Sequence, residues 1–330
     1  MTTICVDAMG GDREPSVVLE GIAAALKQDA DLAVLVAGPQ DLVTPFCADH
    51  DRARALVCTE AIAMDEHPAD AVRAKRDSTI VRGCAAVKAG EADGFFSAGS
   101  TGAIFAAAAM GVGRIRGIRR PAIAGVLPGL SGSQTVMLDL GANADAKPEM
   151  IVQFAQMGRA YSRVVLGVEN PRVALLSNGE EETKGSELAL SYHKALADAC
   201  PWFAGNAEGT DLLAGTYDVI VADGFTGNVA LKSLEGTAKY IVGTLKKSVK
   251  GSKRAAAGAL MLKPVLKAIA ADLSGDELGG AILLGVKAPV LIGHGATSVD
   301  AIKNGTIATA EAVRAHLVDK VAQAIAQADD

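Results

Sequence analysis

Short apolar runs closed by turn residues alternate with stretches of helical spacing along most of the chain, the pattern of β-strands linked by covering helices. Ile4, Cys5 and Val6 form a first strand that ends at Asp7, and Pro15 opens a helix carrying Val17, Val18, Leu19 and Ile22. Further strands are predicted over 32–36, around Leu56 and Val57, at Phe95 and Phe96, and over 122–126, 135–140, 173–176 and 217–221. Helices are predicted between them: one through Val81 and Val87 capped by Asp77 or Ser78, one over 103–110, one opened by Pro148, one over about 186–199 and one starting near Asn228. The stretch GGAILLGVKAPVLIGHG adds two short apolar runs, and amphipathic helices close the chain over 298–326. No repeat or low-complexity linker interrupts the alternation, so residues 1–330 read as one doubly wound α/β domain rather than two.

In such sheets ligands bind beyond the carboxyl ends of the strands. Polar residues collect at those ends (Asp7, Ser97, Asp139, Ser177, Asp223 and His294) and are expected along one rim. The central stretch, DGFFSAGSTGAIFAAAAMGVG, joins a buried strand to an alanine-rich helix through Ser97, Gly99, Ser100, Thr101 and Gly102. A strand, a small polar turn and a helix in that order aim free N–H groups and the positive end of a helix dipole at one point, a seat for a phosphate-like anion. The plainer reading, a turn whose glycines only permit close packing, stands beside it.

Composition narrows the chemistry. Half of the residues are hydrophobic but only 4% are aromatic, so the core must be built from Ala, Val, Leu and Ile. A formal net charge of −6 argues against a general nucleic-acid binder. The five cysteines form no CxxC pair and read as reduced thiols. No signal-peptide pattern and no apolar run near the ~20 residues of a membrane span are visible, so a soluble cytoplasmic protein is expected. The histidines are scattered, which predicts no metal site; GxSxG and GxGxxG are missing, and TKGS reverses the GK[ST] order of a Walker loop.

Lys184, after Glu180, Glu181 and Glu182 at a strand-to-helix junction, can pair with a phosphate or an oxyanion, or simply with those glutamates. Asn228 is either a helix N-cap or an amide donor to substrate, and His294, between Gly293 and Gly295, is placed to protonate a leaving group. Between Glu235 and Asp272 there is no acidic residue but eight Lys or Arg, and Leu260, Leu262, Val265, Leu266 and Ile269 are apolar. A basic amphipathic helical hairpin over about 236–273 is predicted, suited to an acidic partner or an anionic membrane surface, or to pairing of two chains. Arg73, Lys75 and Arg76, and likewise Arg114 and Arg116, form two further basic groups, each either a docking patch or a solvated face.

Taken in order, AMGGD, SAGSTGA, DLGAN, LLSNGEEETKGSE, GNAEG, DVIVADGFTGN and GGAILLG…GHG resemble the bacterial acyl-ACP:phosphate acyltransferases of phospholipid synthesis, from Ile4 to about Gly305. Ser100, Ser177–Asn178 and Ala296 depart from the usual residues of those motifs. The resemblance implies a Rossmann-like α/β/α sandwich akin to phosphate acetyltransferases and to isocitrate and isopropylmalate dehydrogenases. It implies a homodimer, no cofactor or metal, and transfer of a long-chain acyl group from acyl carrier protein to inorganic phosphate. The acyl phosphate would pass to a glycerol-3-phosphate acyltransferase, and the hairpin would hold the protein peripherally at the inner face of the cell membrane. On this reading Asp7, Gly10, Gly11, Ser97, Gly99, Ser100, Thr101, Gly102, Asn143, Glu180, Asp223 and Gly227 bind phosphate or substrate. Lys184, Asn228 and His294 are the catalytic candidates, and Arg73, Lys75, Arg76, Arg114 and Arg116 dock the acidic carrier. Three alternatives remain: a phosphate acyltransferase for short acyl-CoA, a decarboxylating dehydrogenase on the same fold, or a non-enzymatic lipid-binding scaffold.

Overall fold

A computed structural model describes residues 1–250, 258, 261–262, 279–293 and 298–327. The order is β1 (Thr2–Asp7), α1 (Pro15–Gln28), β2 (Leu32–Gly38), α2 (Gln40–Ala48), β3 (Ala53–Val57), α3 (Pro68–Ala74), α4 (Thr79–Ala89), β4 (Gly94–Ser97) and α5 (Thr101–Gly111). It continues with β5 (Ala122–Pro128), β6 (Gln134–Leu138), α6 (Pro148–Val165), β7 (Val173–Leu176), α7 (Glu187–Ala199), β8 (Phe203–Ala207), β9 (Val219–Val221) and α8 (Gly224–Lys250). The last elements are β10 (Ala281–Leu284), β11 (Val290–Ile292), α9 (Val299–Arg314) and α10 (Leu317–Ala326).

The strands form a single sheet in the order β3-β2-β1-β4-β11-β10-β5-β6-β9-β7-β8. Alternate side chains divide between two cores, as period-2 geometry requires. Ile4, Val6, Val136, Leu138, Val173 and Val219 face one side, packed with α1, α6, α9 and α10. Cys5, Met137, Ala174 and Ile220 face the other, with α3, α4, α5 and part of α8. Burial on both faces explains why the strands read as continuous apolar runs. Local signals set the helix ends: Pro15 and Pro148 lie in the first turns of α1 and α6, and the Ser186 hydroxyl accepts the Ala189 N–H at 3.2 Å to cap α7.

The sheet is mostly parallel, as expected, but its two parallel blocks run in opposite directions. Parallel pairings join β3-β2-β1-β4-β11 and, separately, β6-β9-β7-β8. Antiparallel steps from β11 to β10, β10 to β5 and β5 to β6 splice them, and an odd number of reversals turns one block against the other. The expectation of one rim is therefore corrected. Asp7 and Ser97 end strands of the first block, whereas Asp139, Ser177 and Asp223 follow strands of the second.

Within the span 236–273, where a hairpin is expected, α8 covers 236–250 with Tyr240, Ile241 and Leu245 exposed, and Met261 and Leu262 are exposed as well. Leu260, Val265, Leu266 and Ile269 lie outside the described residues, as does His294. Among the described residues no helix is long and apolar enough to cross a membrane.

Candidate active site

The first block ends in a tightly braced pair of loops. β1 delivers Asp7 and β4 delivers Ser97, and both side chains are buried. The Ser97 hydroxyl donates to Asp7 Oδ2 at 2.7 Å and accepts the Gly99 N–H at 3.0 Å. Asp7 Oδ1 accepts the Met9 N–H at 2.9 Å. Burial raises the Asp7 pKa, while hydrogen bonds from Ser97, then the Thr79 hydroxyl, then the Met9 and Gly10 N–H groups pull it back. At Gly10 an added Cβ would sit 2.8 Å from Gly99 N and 2.9 Å from Ser97 Oγ, so the AMGGD and SAGSTG loops touch backbone to backbone and admit no side chain. Gly11 adopts a positive φ of 108° that favours glycine.

With the Ser97 hydroxyl and Gly99 N–H engaged inside the turn, the open donors are those of α5. Ser100 stands at its N-cap without a side-chain cap bond. The first helical hydrogen bond runs from Ile104 N to Ser100 O at 2.9 Å, and the N–H groups of Thr101, Gly102 and Ala103 take no side-chain acceptor among the described residues. Ser100 is buried and Thr101 exposed beside them. An added Cβ at Gly102 would lie 2.5 Å from Pro68 Cγ, so the start of α3 walls one side of this anion seat. β11 leaves the sheet next to it, Gly293 N donating to Ser97 O at 2.9 Å.

The second block ends around Asp139, whose buried carboxylate gathers the DLGAN loop. It accepts from Ile123 N at 3.0 Å, Ala142 N at 3.1 Å, Asn143 N at 2.7 Å and Asn143 Nδ2 at 2.9 Å. Burial raises its pKa against those bonds. Asn143 Nδ2 also donates to Pro121 O at 2.8 Å, so both amide hydrogens brace the loop. Asp223 caps α8, accepting from Thr226 N at 2.8 Å and from the Thr226 hydroxyl at 3.0 Å. The helix thus begins four residues before Asn228, which is not its cap. Asn228 Nδ2 instead donates to Leu140 O at 2.9 Å, leaving one amide hydrogen for another acceptor. A Cβ at Gly227 would stand 2.0 Å from Asp139 O, which places the first turn of α8 directly on the loop.

Beyond β7, Lys184 N donates to Glu181 O at 3.0 Å and the lysine stem crosses Gly179, where a Cβ would meet Lys184 Cγ at 2.6 Å. Lys184 and Glu180 are exposed, and the ammonium makes no ion pair with the described residues, Glu180–Glu182 included. Asn206, in the GNAEG motif, supports this turn: its Nδ2 donates to Glu181 O at 2.9 Å while its Oδ1 meets His193 Nδ1 at 2.9 Å. Neither this bracing by Asn206 nor the Thr79 bond to Asp7 has a short-range signature in the sequence.

The two basic groups occupy different places. Arg73 and Arg76 are exposed near the α3 wall, whereas Lys75 Nζ is tied to Ala61 O at 2.9 Å and Glu66 Oε1 at 2.7 Å. Arg114 donates to Arg119 O, and Arg116 is exposed in the loop leading to β5. No group of three or more His, Cys, Asp or Glu able to hold a metal occurs among the described residues.

The fold and these glycine-rich strand ends define a class before a family. A phosphotransacetylase from Streptococcus pyogenes superposes with a TM-score of 0.60 at 17% identity, covering 95% of this chain and 94% of its own. A branched-chain phosphotransacylase from Enterococcus faecalis gives 0.56 at 13% identity, over 94% and 99%. The chain has the α/β architecture of phosphotransacylases. A family model described as "Fatty acid synthesis protein" matches residues 2–320. A "Phosphate acyltransferase" of Limosilactobacillus fermentum is 49% identical over 87% of this chain and 85% of the relative, and one of Anaeromyxobacter sp. is 43% identical over 99% and 91%. The chain belongs to this fatty-acid-synthesis family of acyltransferases.

Proposed function

We propose that the protein transfers a long-chain acyl group from the thioester of acyl carrier protein to inorganic phosphate. A phosphate oxygen attacks the thioester carbonyl carbon, the C–O bond forms, the C–S bond breaks, and the carrier thiolate leaves and takes a proton. The observation that carries this reading is the uncapped start of α5 behind the braced Asp7–Ser97 pair, a set of N–H donors with no acceptor of its own. Phosphate is already an anion near neutral pH, so the demand on the protein is positioning and donors at the developing oxyanion. Lys184, unpaired among the described residues, and the remaining amide hydrogen of Asn228 suit that role, and His294 is assigned to the departing thiolate.

Sheet twist supports a shared site for the two loop clusters. A twist of about 20–25° per strand over the five or six steps from β4 to β9 and β7 turns them by on the order of 100–150°. A rotation of that size favours a common side for loops that would oppose each other in a flat sheet, which is the arrangement this reading needs. Direct transfer, without an acyl-cysteine, fits the thiols: burial pushes Cys58 and Cys200 up to about 11, and Cys5, Cys47 and Cys84 are also raised.

The same reading has the exposed arginines near α3 and before β5 dock the acidic carrier. Two chains form a homodimer, and exposed Tyr240, Ile241, Leu245, Met261 and Leu262 lie against an anionic membrane from the cytoplasmic side. The acyl phosphate then serves a glycerol-3-phosphate acyltransferase. Incubation with palmitoyl-carrier and phosphate, followed by hydroxylamine, is expected to yield palmitoyl hydroxamate; acyl-carrier consumption that gives only free fatty acid would refute the reading.

A further inference from the structure

At the amino ends of β7 and β8, the reverse side from the Lys184 turn, a cavity of about 830 Å³ opens between the later turns of α6, the turn from α7 into β8, and α10. None of its lining residues belongs to either loop cluster. Arg159, Arg163 and Lys320 face it, and no acidic side chain among the described residues does, although the chain as a whole carries a formal charge of −6. None of the three cations makes an ion pair with a described carboxylate.

Arg159 is the unusual member. Its guanidinium lies 4.9 Å from the centre of the Trp202 ring, a contact that uses the π-face and satisfies no N–H. Its Nε is buried with no hydrogen-bond partner, a condition that costs free energy unless something outside the chain accepts that proton. Burial, and then the neighbouring Arg163 charge, hold its pKa below the usual arginine value. Arg159 and Arg163 stand four residues apart on α6 and line the cavity with no acidic partner there among the described residues, and arginine is the side chain whose planar fork of N–H donors suits phosphoryl oxygens. The volume is that of a pocket for an organic ligand rather than a bare ion, and Trp202 and Val164 give it an apolar wall.

We propose that this cavity is a binding site for a soluble organic phosphate, its phosphoryl oxygens held by Arg159, Arg163 and Lys320 and its organic body lying along Trp202 and Val164. The site is independent of the acyl-transfer reading. Trp202 is the chain's only tryptophan, so its emission reports this cavity alone. Titration of the full chain with fructose 1,6-bisphosphate, which does not absorb at the tryptophan wavelengths, is expected to change that emission saturably. Half-saturation is expected at a concentration well below that of inorganic phosphate. Arg163→Gln with Lys320→Gln, two exposed side chains outside the core, should raise the half-saturation concentration about tenfold or more; Arg159→Gln should abolish the response. Lys184→Ala should leave it unchanged, which keeps this test apart from that of the acyl-transfer site. The proposal is overturned by the lack of any saturable change at millimolar ligand. An undiminished response in the double variant, equal half-saturation by inorganic phosphate, or a response only to phosphatidylglycerol vesicles would overturn it too.

Discussion

Replacing Ser97 by alanine tests the bracing of the anion seat. The hydroxyl donates to the buried Asp7 carboxylate and accepts the Gly99 N–H, so Ser97→Ala removes two bonds at once. A hydrogen bond to a charged group contributes about 1.5–3 kcal/mol, and a stranded buried N–H costs about 1–3 kcal/mol. With partial relaxation of the turn, the loss near pH 8 is expected to be ~2–4 kcal/mol. The loss should depend on pH in a set direction. Asp7 is raised in the folded protein, so its contribution is complete below the unfolded carboxyl value of about 3.9 and is lost as pH rises through the folded value. Removing Ser97 takes away the foremost bond that restrains that rise, and so widens the window over which stability falls. Urea unfolding of both proteins at about pH 4.5 and about pH 8 should therefore show a larger gap at the higher pH. A gap that is constant, or that shrinks with rising pH, would refute a charged Asp7 held by Ser97.

Lys184→Ala should retain the fold and lose roughly 10²–10³ in kcat, the usual consequence of removing an oxyanion donor; near-normal turnover by folded protein removes Lys184 from the chemistry. Gly227→Ala forces a Cβ to 2.0 Å from Asp139 O, a backbone atom that cannot swing away. It should cost about 3 kcal/mol or more, read as a lowered Tm, and an unchanged Tm would show that α8 and the DLGAN loop are not in contact. Arg73→Glu together with Arg116→Glu should raise KM for carrier-bound substrate about tenfold while leaving a small thioester nearly untouched; equal effects on both substrates would indicate general damage instead of docking.

The alternation of apolar runs made most elements legible, and Pro148 and Ser186 marked helix starts within a residue because a fixed φ and a side-chain oxygen act locally. Strand direction was not legible. An apolar run of four residues such as Ala281–Leu284 has no polarity of its own, and three antiparallel pairings set by long-range packing reversed half of the sheet. GFTGN reads as a turn and so points to a start of α8 four residues late, whereas Asp223 caps the helix and Gly227 is needed for close approach to Asp139. The motifs make Asn143 a candidate binder of phosphate or substrate and Asn228 a catalytic candidate. That Pro121 takes one hydrogen of Asn143 and Leu140 one of Asn228 depends on contacts across 22 and 88 positions of sequence, whereas the bond from Asn143 to Asp139 spans four. The amide of Asn206 likewise acts through a carbonyl 25 residues away.

The central claim is that inorganic phosphate, seated at the start of α5, is the nucleophile. Thiol release from palmitoyl-carrier, followed with and without phosphate and repeated with ¹⁸O-labelled phosphate, tests it most directly. Release should rise from background to saturation with phosphate, and label should be retained in the oxygen joining acyl carbon to phosphorus. Release at an unchanged rate without phosphate, or product whose bridging oxygen comes from water, would contradict it.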